Sequence, residues 1–231
     1  MLETIEIVKH TITKGEQLHH VVVNAGKIVS MQKDLQLRKS VNESDLINAD
    51  GQAVVWASKI LGKPLKERVA GIDLMTRLVE LSHKNNYKIF FFGAKQEVVK
   101  SVVDKYTNEY TSNIIAGYRN GYFKKEEEKD IARQISNSGA NILFVAISSP
   151  IKENFLNQNK KLLKKVNLIM GVGGSFDVVA GHVKRAPLWM QNIGLEWFYR
   201  VTQEPRRMWK RYLIGNIKFI LLVFKNKLQQ P

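Results

Sequence analysis

Six short apolar runs alternate along the chain with longer amphipathic segments. The runs are rich in β-branched and aromatic residues and are apolar at nearly every position, which is typical of strands buried on both faces of a sheet. We predict that each run forms a β-strand. The runs are HVVVN (20–24), LINAD (46–50), KIFFFG (88–93), NIIAG (113–117), NILFVAI (141–147) and NLIMGVG (167–173).

The segments between the runs have helical periodicity. In residues 71–85, Leu74, Leu78 and Leu81 recur at spacings of four and three, and valines in residues 97–106 follow the same rule. Such spacings place apolar side chains on one face of an α-helix. Strands that alternate with helices predict a Rossmann-like, doubly wound α/β fold with a mostly parallel sheet.

The strand pattern stops after Gly181, so we predict an α/β core in residues 1–181 and a helical, basic C-terminal appendage in residues 182–231. From Arg200 to the end, eight Lys and Arg residues accompany one Glu, which gives about +7 of the net charge of +15. The apolar run 213–224 is too short to span a bilayer. The appendage is interpreted either as a surface helix on an anionic membrane or as a helix packed on the core.

Several kinds of chemistry are excluded by the composition. The chain of 231 residues has no cysteine, so disulfides and thiolate catalysis are ruled out. Its five histidines show no spacing typical of a metal site, and no metal or cofactor is expected. The N-terminus MLETIEIVKH lacks the pattern of a secretory signal. The positive charge indicates anionic partners.

Ligands of open α/β sheets bind beyond the carboxyl ends of the strands, so the residues that end the apolar runs are candidates for a site. Asn24 and Asp50 end the first two runs. Asp50 is interpreted either as the N-cap of the following helix or as a general base that takes a proton from a hydroxyl nucleophile.

The sequence MGVGGSFDVVAGHVKRAP (170–187) contains a glycine-rich turn after the last run. It is not a dinucleotide fingerprint, because Phe176 stands where the third glycine would be required, and no Gly-Lys-Ser/Thr follows. One interpretation is a turn at which an anionic ligand approaches backbone N–H groups. The other is a tight turn with Asp177 in the first turn of a helix.

Two further side chains have two interpretations each. Arg68, in KPLKERVAGIDL, is either a solvated loop charge or a contact to phosphate or carboxylate. Tyr122, in RNGYF, is either an aromatic at the edge of the core or a face on which a nucleobase stacks.

Six blocks follow one another along the chain: NADGQAVVWASKILGKPLKERVAGIDL, FFFGAK, NGYF, SSPIKENF, GVGGSFDVVAGHVKRAP and LEWFYRVTQEPRRMWKRYL. In this order they resemble the WecG/TagA/CpsF glycosyltransferase family over roughly Val21 to Leu213. This resemblance implies an inverting, metal-independent enzyme of the GT-E type. Its donor would be a UDP-sugar, typically UDP-N-acetylmannosamine or a relative, and its acceptor a sugar on undecaprenyl diphosphate at the cytoplasmic face of the membrane.

The resemblance also implies roles for individual residues. Asp50 would be the catalytic base, with Asn24 at the substrate sugar and Arg68 in the same pocket. Tyr122 would lie beside the uracil and Asp177 beside the nucleoside. The other substrate-binding residues implied are Gly173 in the glycine-rich turn and, facing diphosphates, Arg200, Arg207 and Arg211.

Two positions depart from the family pattern. Val22 stands where the family often has Thr, and Lys152 stands where it usually has Gln. Both lie near the expected sugar pocket, so the sugars are expected to differ from the common ones. We hypothesise that the charge of Lys152 suits an acidic donor sugar such as a uronate.

A different class of function remains open at this point. The net charge also fits a basic nucleic-acid-binding α/β protein, although the charge is concentrated in an apolar-rich tail and no nucleic-acid-binding motif is present. An NAD(P)-dependent dehydrogenase is disfavoured by the missing fingerprint. The expected partners are a UDP-sugar, a polyprenyl-diphosphate-linked acceptor and an anionic membrane surface, with no nucleic acid. A homo-oligomer is a further option.

Overall fold

A computed structural model describes residues 1–229, except for the side chains of Arg207 and Arg211. Each of the six predicted strands is present, with bounds that differ from the apolar runs by a few residues. The strands are β1 (Leu18–Val23), β2 (Leu46–Ala49), β3 (Ile89–Gly93), β4 (Ile115–Arg119), β5 (Ile142–Ala146) and β6 (Leu168–Gly171).

Helices connect successive strands and form the C-terminal segment. Three short 3-10 helices occupy Ser112–Ile114, Lys125–Glu127 and Leu162–Lys165. The α-helices of the described chain are α1 (Leu2–Thr13), α2 (Ala25–Met31), α3 (Leu35–Asn42), α4 (Gln52–Ile60), α5 (Gly71–Asn85), α6 (Gln96–Glu109), α7 (Glu128–Asn137), α8 (Ile151–Gln158), α9 (Ser175–Val179), α10 (Leu188–Asn192), α11 (Glu196–Gln203) and α12 (Pro205–Leu228).

The strands form one sheet in the order β2-β1-β6-β5-β3-β4. The pairs β1–β6, β6–β5, β5–β3 and β3–β4 are parallel, and Leu143 of β5 lies between Phe90 of β3 and Ile169 of β6 in register. The prediction of a doubly wound α/β fold is therefore confirmed. A parallel sheet places the carboxyl ends of all its strands at one edge, where ligands of such folds bind.

Aromatic side chains fill both faces of the central strands. The Phe92 ring lies 5.1 Å from Phe155 and 5.7 Å from Phe123, measured between centroids, while Phe91 lies 5.8 Å from Phe176. Every residue of β3 and β5 is buried. Burial on both faces explains why these runs are apolar at nearly every position instead of alternating.

The chain divides into two compact units. The first contains Met1–Val21, Glu43–Leu46 and Gly71–His182, and the second contains Val22–Asn42, Ile47–Ala70 and the chain from Val183. The change of unit at Val183 lies next to the predicted boundary, but the second unit also includes two segments from the first third of the chain. The division into a core of residues 1–181 and an appendage of residues 182–231 stays a prediction.

Helix α12 is packed within the second unit by one of its faces. Phe219 and Val223 are buried in a cluster with Ala25 of α2 and with Val54 and Val55 of α4. Another face leaves large apolar side chains exposed, among them Leu213, Ile217, Ile220, Leu221 and Phe224. In residues 1–229, none of the helices has the length and apolar character that a membrane crossing requires.

Candidate active site

Backbone hydrogen bonds bring three predicted site residues together at the carboxyl ends of β1 and β2. The backbone N–H of Asp50 donates to the carbonyl of Val23 at 2.8 Å, and that of Val69 donates to Ala49 at 2.9 Å. Asn24 directly follows Val23, Asp50 directly follows Ala49, and Arg68 directly precedes Val69. The second unit therefore carries an amide, a carboxylate and a guanidinium on residues that lie next to the ends of β1 and β2.

Asp50 does not occupy the capping position that one interpretation gave it. Helix α4 begins at Gln52, and its N-cap is Gly51, which has no side chain with which to cap. Gly51 has a φ of +142°, a conformation that favours glycine. Asp50 thus lies one residue before the cap and directly after β2, and its interpretation as a general base stays a prediction.

Asn24 has a structural role that the sequence reasoning missed. It is the N-cap of α2, and its Oδ1 accepts a hydrogen bond from the backbone N–H of Lys27 at 3.0 Å. Capping fixes the orientation of the amide, because one of its two polar atoms is directed at the helix. A contact of Asn24 with a sugar stays a prediction.

Arg68 belongs to a network of side chains. Its Nη1 lies 3.3 Å from Oε2 of Glu196, and its Nη2 donates to Oε1 of Gln191 at 3.4 Å. The other oxygen of Glu196, Oε1, lies 3.6 Å from Nη2 of Arg200. The Arg68 side chain is only 16% exposed, so its interpretation as a solvated loop charge is wrong.

Glu196 is the residue that unites this network, and sequence reasoning did not single it out. One carboxylate between two guanidinium groups leaves a net positive charge at Arg68 and Arg200. Arg68 and Arg200 therefore suit an anionic ligand that replaces Glu196 as the acceptor for some of their N–H groups. The side chains of Arg207 and Arg211, on α12, lie outside what the structure describes.

In the first unit, Lys152 of α8 is buried and paired. Its Nζ lies 3.2 Å from Oε1 of Glu153, and Ser149 Oγ donates to Oε2 of the same carboxylate at 2.8 Å. The lysine side chain passes over Gly171, where an added Cβ would lie 2.7 Å from Nζ. The ammonium therefore sits at the carboxyl end of β6. The uronate hypothesis requires the positive charge of Lys152 to face an acidic sugar, but in the structure this charge is paired with Glu153.

The glycine-rich turn after β6 is built without side-chain bulk. Gly173 has a φ of +54°, which favours glycine, and a Cβ there would meet no atom within 4 Å. Asp177 lies in the first turn of α9, and its carbonyl accepts from the backbone N–H of His182 at 2.9 Å. The open space in front of Gly173 is compatible with the predicted approach of a ligand to the backbone.

Tyr122 is 70% exposed, so its interpretation as an aromatic of the core edge is wrong. Phe123 takes that role instead, with its ring 5.7 Å from Phe155. The turn before Tyr122 is fixed because Gly121 N–H donates to the Ala94 carbonyl at 2.9 Å and Asn120 Oδ1 accepts from Tyr122 N–H at 3.0 Å. A rigid turn thus presents an exposed aromatic face, as stacking on a base requires.

Within the described residues, no group of three or more His, Asp or Glu side chains is arranged to hold a metal ion. The absence of a metal requirement stays a prediction, for which the reaction itself is the test.

His19 on β1 lies in the same unit as Lys152 and has a shifted pKa. Burial lowers the pKa of its imidazole from 6.5 to about 4; the neighbouring Lys152 and Lys160 act in the same direction, while Asp45 and Glu153 oppose the shift. Asp45 Oδ2 accepts from the His19 backbone N–H at 2.7 Å. The neutral imidazole is therefore the form that the folded protein favours.

The pKa shift of His19 predicts that stability falls in acid. Because the folded pKa lies below the unfolded one, the unfolded chain binds the extra proton, and stability present above about pH 6.5 is lost as the pH falls towards 4. The loss attributable to this group is at most about 3 kcal/mol. Urea unfolding at neutral pH and near pH 4 should show a smaller pH dependence for His19→Gln than for the wild type. His10→Gln, an exposed histidine on α1, is the control, and equal slopes for all three proteins would contradict the prediction.

Similarity to known proteins decides the family. The sequence model of the glycosyl transferase WecG/TagA/CpsF family matches residues 1–231. The chain belongs to this family. It is therefore a glycosyltransferase, and the resemblance noted from its six blocks is confirmed. This membership gives no support to the alternative of a nucleic-acid-binding protein.

Two similar proteins share one name that describes their activity. A Bacillus subtilis (strain 168) N-acetylglucosaminyldiphosphoundecaprenol N-acetyl-beta-D-mannosaminyltransferase is 38% identical over 195 residues, which cover 84% of this chain and 74% of the relative. An enzyme of the same name from Bacillus spizizenii is 35% identical over 187 residues, covering 81% and 71%.

Proposed function

We propose that the protein transfers an N-acetylmannosaminyl group, or a relative such as its uronic acid, from a UDP-sugar to a sugar linked to undecaprenyl diphosphate. The transfer inverts the anomeric centre, needs no metal and serves the synthesis of a cell-surface polysaccharide. Family membership and the names of the two Bacillus relatives support this proposal. The observation that carries it is the position of Asp50 beside Asn24 and Arg68 at the carboxyl ends of β1 and β2.

Asp50 is the proposed general base. Its carboxylate accepts the proton of the acceptor hydroxyl while that oxygen forms a bond to the anomeric carbon of the donor. The bond between this carbon and the phosphate oxygen of UDP breaks, and UDP leaves with the electron pair. Proton transfer to a positioned carboxylate of this kind is typical of general-base catalysis.

Arginines are proposed to balance the diphosphate charge. Arg68 and Arg200 are held by the two oxygens of Glu196, and we assign Arg207 and Arg211 the same role from the resemblance. A guanidinium presents a planar fork of donors that matches phosphate oxygens. Positioned cations of this kind stabilise the charge that develops on a leaving diphosphate.

The proposed contacts to the donor are those that the family resemblance implies. Tyr122 stacks on the uracil with its exposed ring, and Asp177 accepts hydrogen bonds from the nucleoside. Gly173 allows close approach to the backbone, and Asn24 donates to the sugar from its amide nitrogen. Lys152 contributes as a positioning residue at the end of β6, because its charge is paired with Glu153.

The experiment that tests the function is a donor comparison with mass detection of products. Purified protein is incubated with an N-acetylglucosaminyl diphosphate acceptor on a short prenyl chain and with UDP-N-acetylmannosamine, its uronic acid form or UDP-N-acetylglucosamine, each with and without EDTA. We expect transfer of the neutral mannosamine sugar to exceed transfer of the uronate, with no loss in EDTA. Transfer from none of the donors would overturn the proposal, and loss in EDTA would overturn its metal-independent part.

We further propose that the protein works as a peripheral protein on the inner face of the cytoplasmic membrane. The exposed apolar face of α12 is accompanied by the exposed lysines Lys210, Lys218 and Lys225. A helix with large apolar side chains beside cations is typical of segments that lie in the headgroup region of an anionic bilayer.

Removal of apolar side chains from this face should weaken membrane binding. The double variant Ile217→Ser with Leu221→Ser is expected to reduce retention on anionic liposomes about ten-fold, since the two side chains, when partly buried in the interface, are together worth roughly 1.4 kcal/mol. Sedimentation with liposomes measures the retention. Leu35→Ser, which changes an exposed leucine of α3, is the control, and unchanged retention of the double variant would contradict the role of α12.

A further inference from the structure

A second exposed apolar surface lies in the same unit as Asp50. It consists of Trp56 and Ile60 on α4 and of Trp189 and Ile193 at α10, which we call the α4–α10 patch. Trp56 is 47% exposed and Trp189 61% exposed, so a large part of each residue meets solvent. Exposed large apolar side chains that cluster in this way commonly mark a binding surface.

Gly194 joins the two halves of the α4–α10 patch. A Cβ at this position would lie 2.9 Å from the Trp56 ring and 3.2 Å from Cβ of Gln52, and the φ of +72° also favours glycine. The segment that follows α10 can therefore rest directly on α4 only because residue 194 lacks a side chain. Gln52 is in the first turn of α4, and Trp56 lies one turn further along the helix, six residues after Asp50.

The border of the α4–α10 patch carries cationic groups. Gln191, between Trp189 and Ile193 in sequence, accepts a hydrogen bond from Nη2 of Arg68. Glu196, two residues after Gly194, pairs with both Arg68 and Arg200. Residues 194–196 thus link the two features, because Gly194 lies against Trp56 and Glu196 pairs with the guanidinium groups of Arg68 and Arg200.

We propose that the α4–α10 patch binds the isoprene units next to the diphosphate in the polyprenyl chain of the acceptor. The inference rests on the proposed function, which supplies an acceptor with an anionic head and an apolar chain. The diphosphate of such an amphiphile matches Arg68 and Arg200. Its first isoprene units match the indole faces and aliphatic side chains beside them, because flat apolar rings give large contact area.

The burial and the hydrogen bonds of Arg68 favour a single lipid molecule, and not a bilayer surface, as the ligand of the α4–α10 patch. Its guanidinium is mostly buried and held by two partners, Gln191 and Glu196, in a fixed orientation. Such a group is preorganised for one bound diphosphate. Binding to a field of headgroups uses long, exposed and mobile lysines instead, as found along α12.

The test is the dependence of turnover on the length of the acceptor chain, measured without membranes or micelles. Two N-acetylglucosaminyl diphosphate acceptors are compared, one a farnesyl and the other a methyl ester. We expect the wild type to have a higher kcat/KM for the farnesyl acceptor. In Trp56→Ala the ratio of the two kcat/KM values should fall about ten-fold, which corresponds to about 1.4 kcal/mol. Ile60→Asn, which leaves the contact of Trp56 with Gly194 in place, should lower the ratio in the same direction.

Several results would overturn the inference. One is a ratio in Trp56→Ala and Ile60→Asn that equals that of the wild type, even if both acceptors react more slowly. Another is a normal ratio together with weaker liposome retention, since the patch would then be a membrane contact. An equal fall of the ratio in Leu35→Ser, whose exposed leucine lies on α3, would show that the effect is not specific to the patch.

A binding measurement separates failure of this inference from failure of the proposed function. Calorimetry compares farnesyl diphosphate with inorganic pyrophosphate on the wild type and on Trp56→Ala. Tighter binding of the farnesyl compound that is lost in the variant supports the patch even if no sugar is transferred. Equal binding of the two compounds to the wild type overturns the patch even if transfer to both acceptors succeeds.

Discussion

Replacing Asp50 by Asn is expected to slow sugar transfer by about three orders of magnitude while UDP binding stays within about two-fold. A positioned general base typically contributes between about a hundred-fold and ten-thousand-fold, and an amide of the same shape cannot accept the proton. Because Gly51 and not Asp50 caps α4, the substitution should leave the helix start intact. Single-turnover rates report the transfer, and calorimetry with UDP reports the binding.

Asp104→Asn is the matched control for this experiment. Asp104 is an exposed aspartate on α6, so the same chemical change there should leave the rate unaltered. If Asp50→Asn lowered transfer and UDP binding by the same factor, with a lower thermal midpoint, the residue would have a structural role and the mechanism would be wrong.

Loss of the Arg68 guanidinium should have the second largest effect. We expect Arg68→Ala to lower kcat/KM for the lipid-linked acceptor about a hundred-fold, because the diphosphate loses a bidentate donor and Glu196 loses one of its two cationic partners. Arg68→Lys should recover only a small part of this loss, since an ammonium cannot reproduce the planar fork. Steady-state kinetics on purified variants measures both.

An arginine outside the network gives the comparison. Arg77 is largely exposed on α5 and pairs with Glu80 at 3.3 Å, so Arg77→Ala removes the same net charge from another part of the surface. Full recovery of activity in Arg68→Lys, or a similar loss in Arg77→Ala, would indicate that only overall charge matters and would contradict the proposed contact.

The sheet was predictable from the sequence because its strands are buried on both faces. After their first residue, the runs 88–93 and 141–147 have no polar position, and such runs flanked by helical periodicity leave few alternatives to a parallel sheet. Boundaries were less accurate. The fourth run was expected to start at residue 113, but β4 starts at Ile115 because Ser112–Ile114 forms a turn of 3-10 helix first.

The candidate site was predictable only where it follows from the sheet. Asn24 and Asp50 come directly after strands, and a parallel sheet brings such positions to one edge. The pairing of Arg68 with Glu196 could not be derived, because 128 residues separate them and no local pattern links a loop arginine to a distant helix. The exposure of Tyr122 and the capping role of Asn24 likewise depend on turn geometry that composition does not reveal.

The passage of Lys152 over Gly171 has a consequence for how the sequence can diverge. A Cβ at position 171 would lie 2.7 Å from Nζ and 2.9 Å from Cε of the lysine, so any larger residue there requires the end of the lysine to move. The lysine end is also the partner of the buried Glu153 carboxylate, at 3.2 Å. A side chain at position 171 would therefore disturb an ion pair on another element, and glycine is the residue that leaves this pair in place.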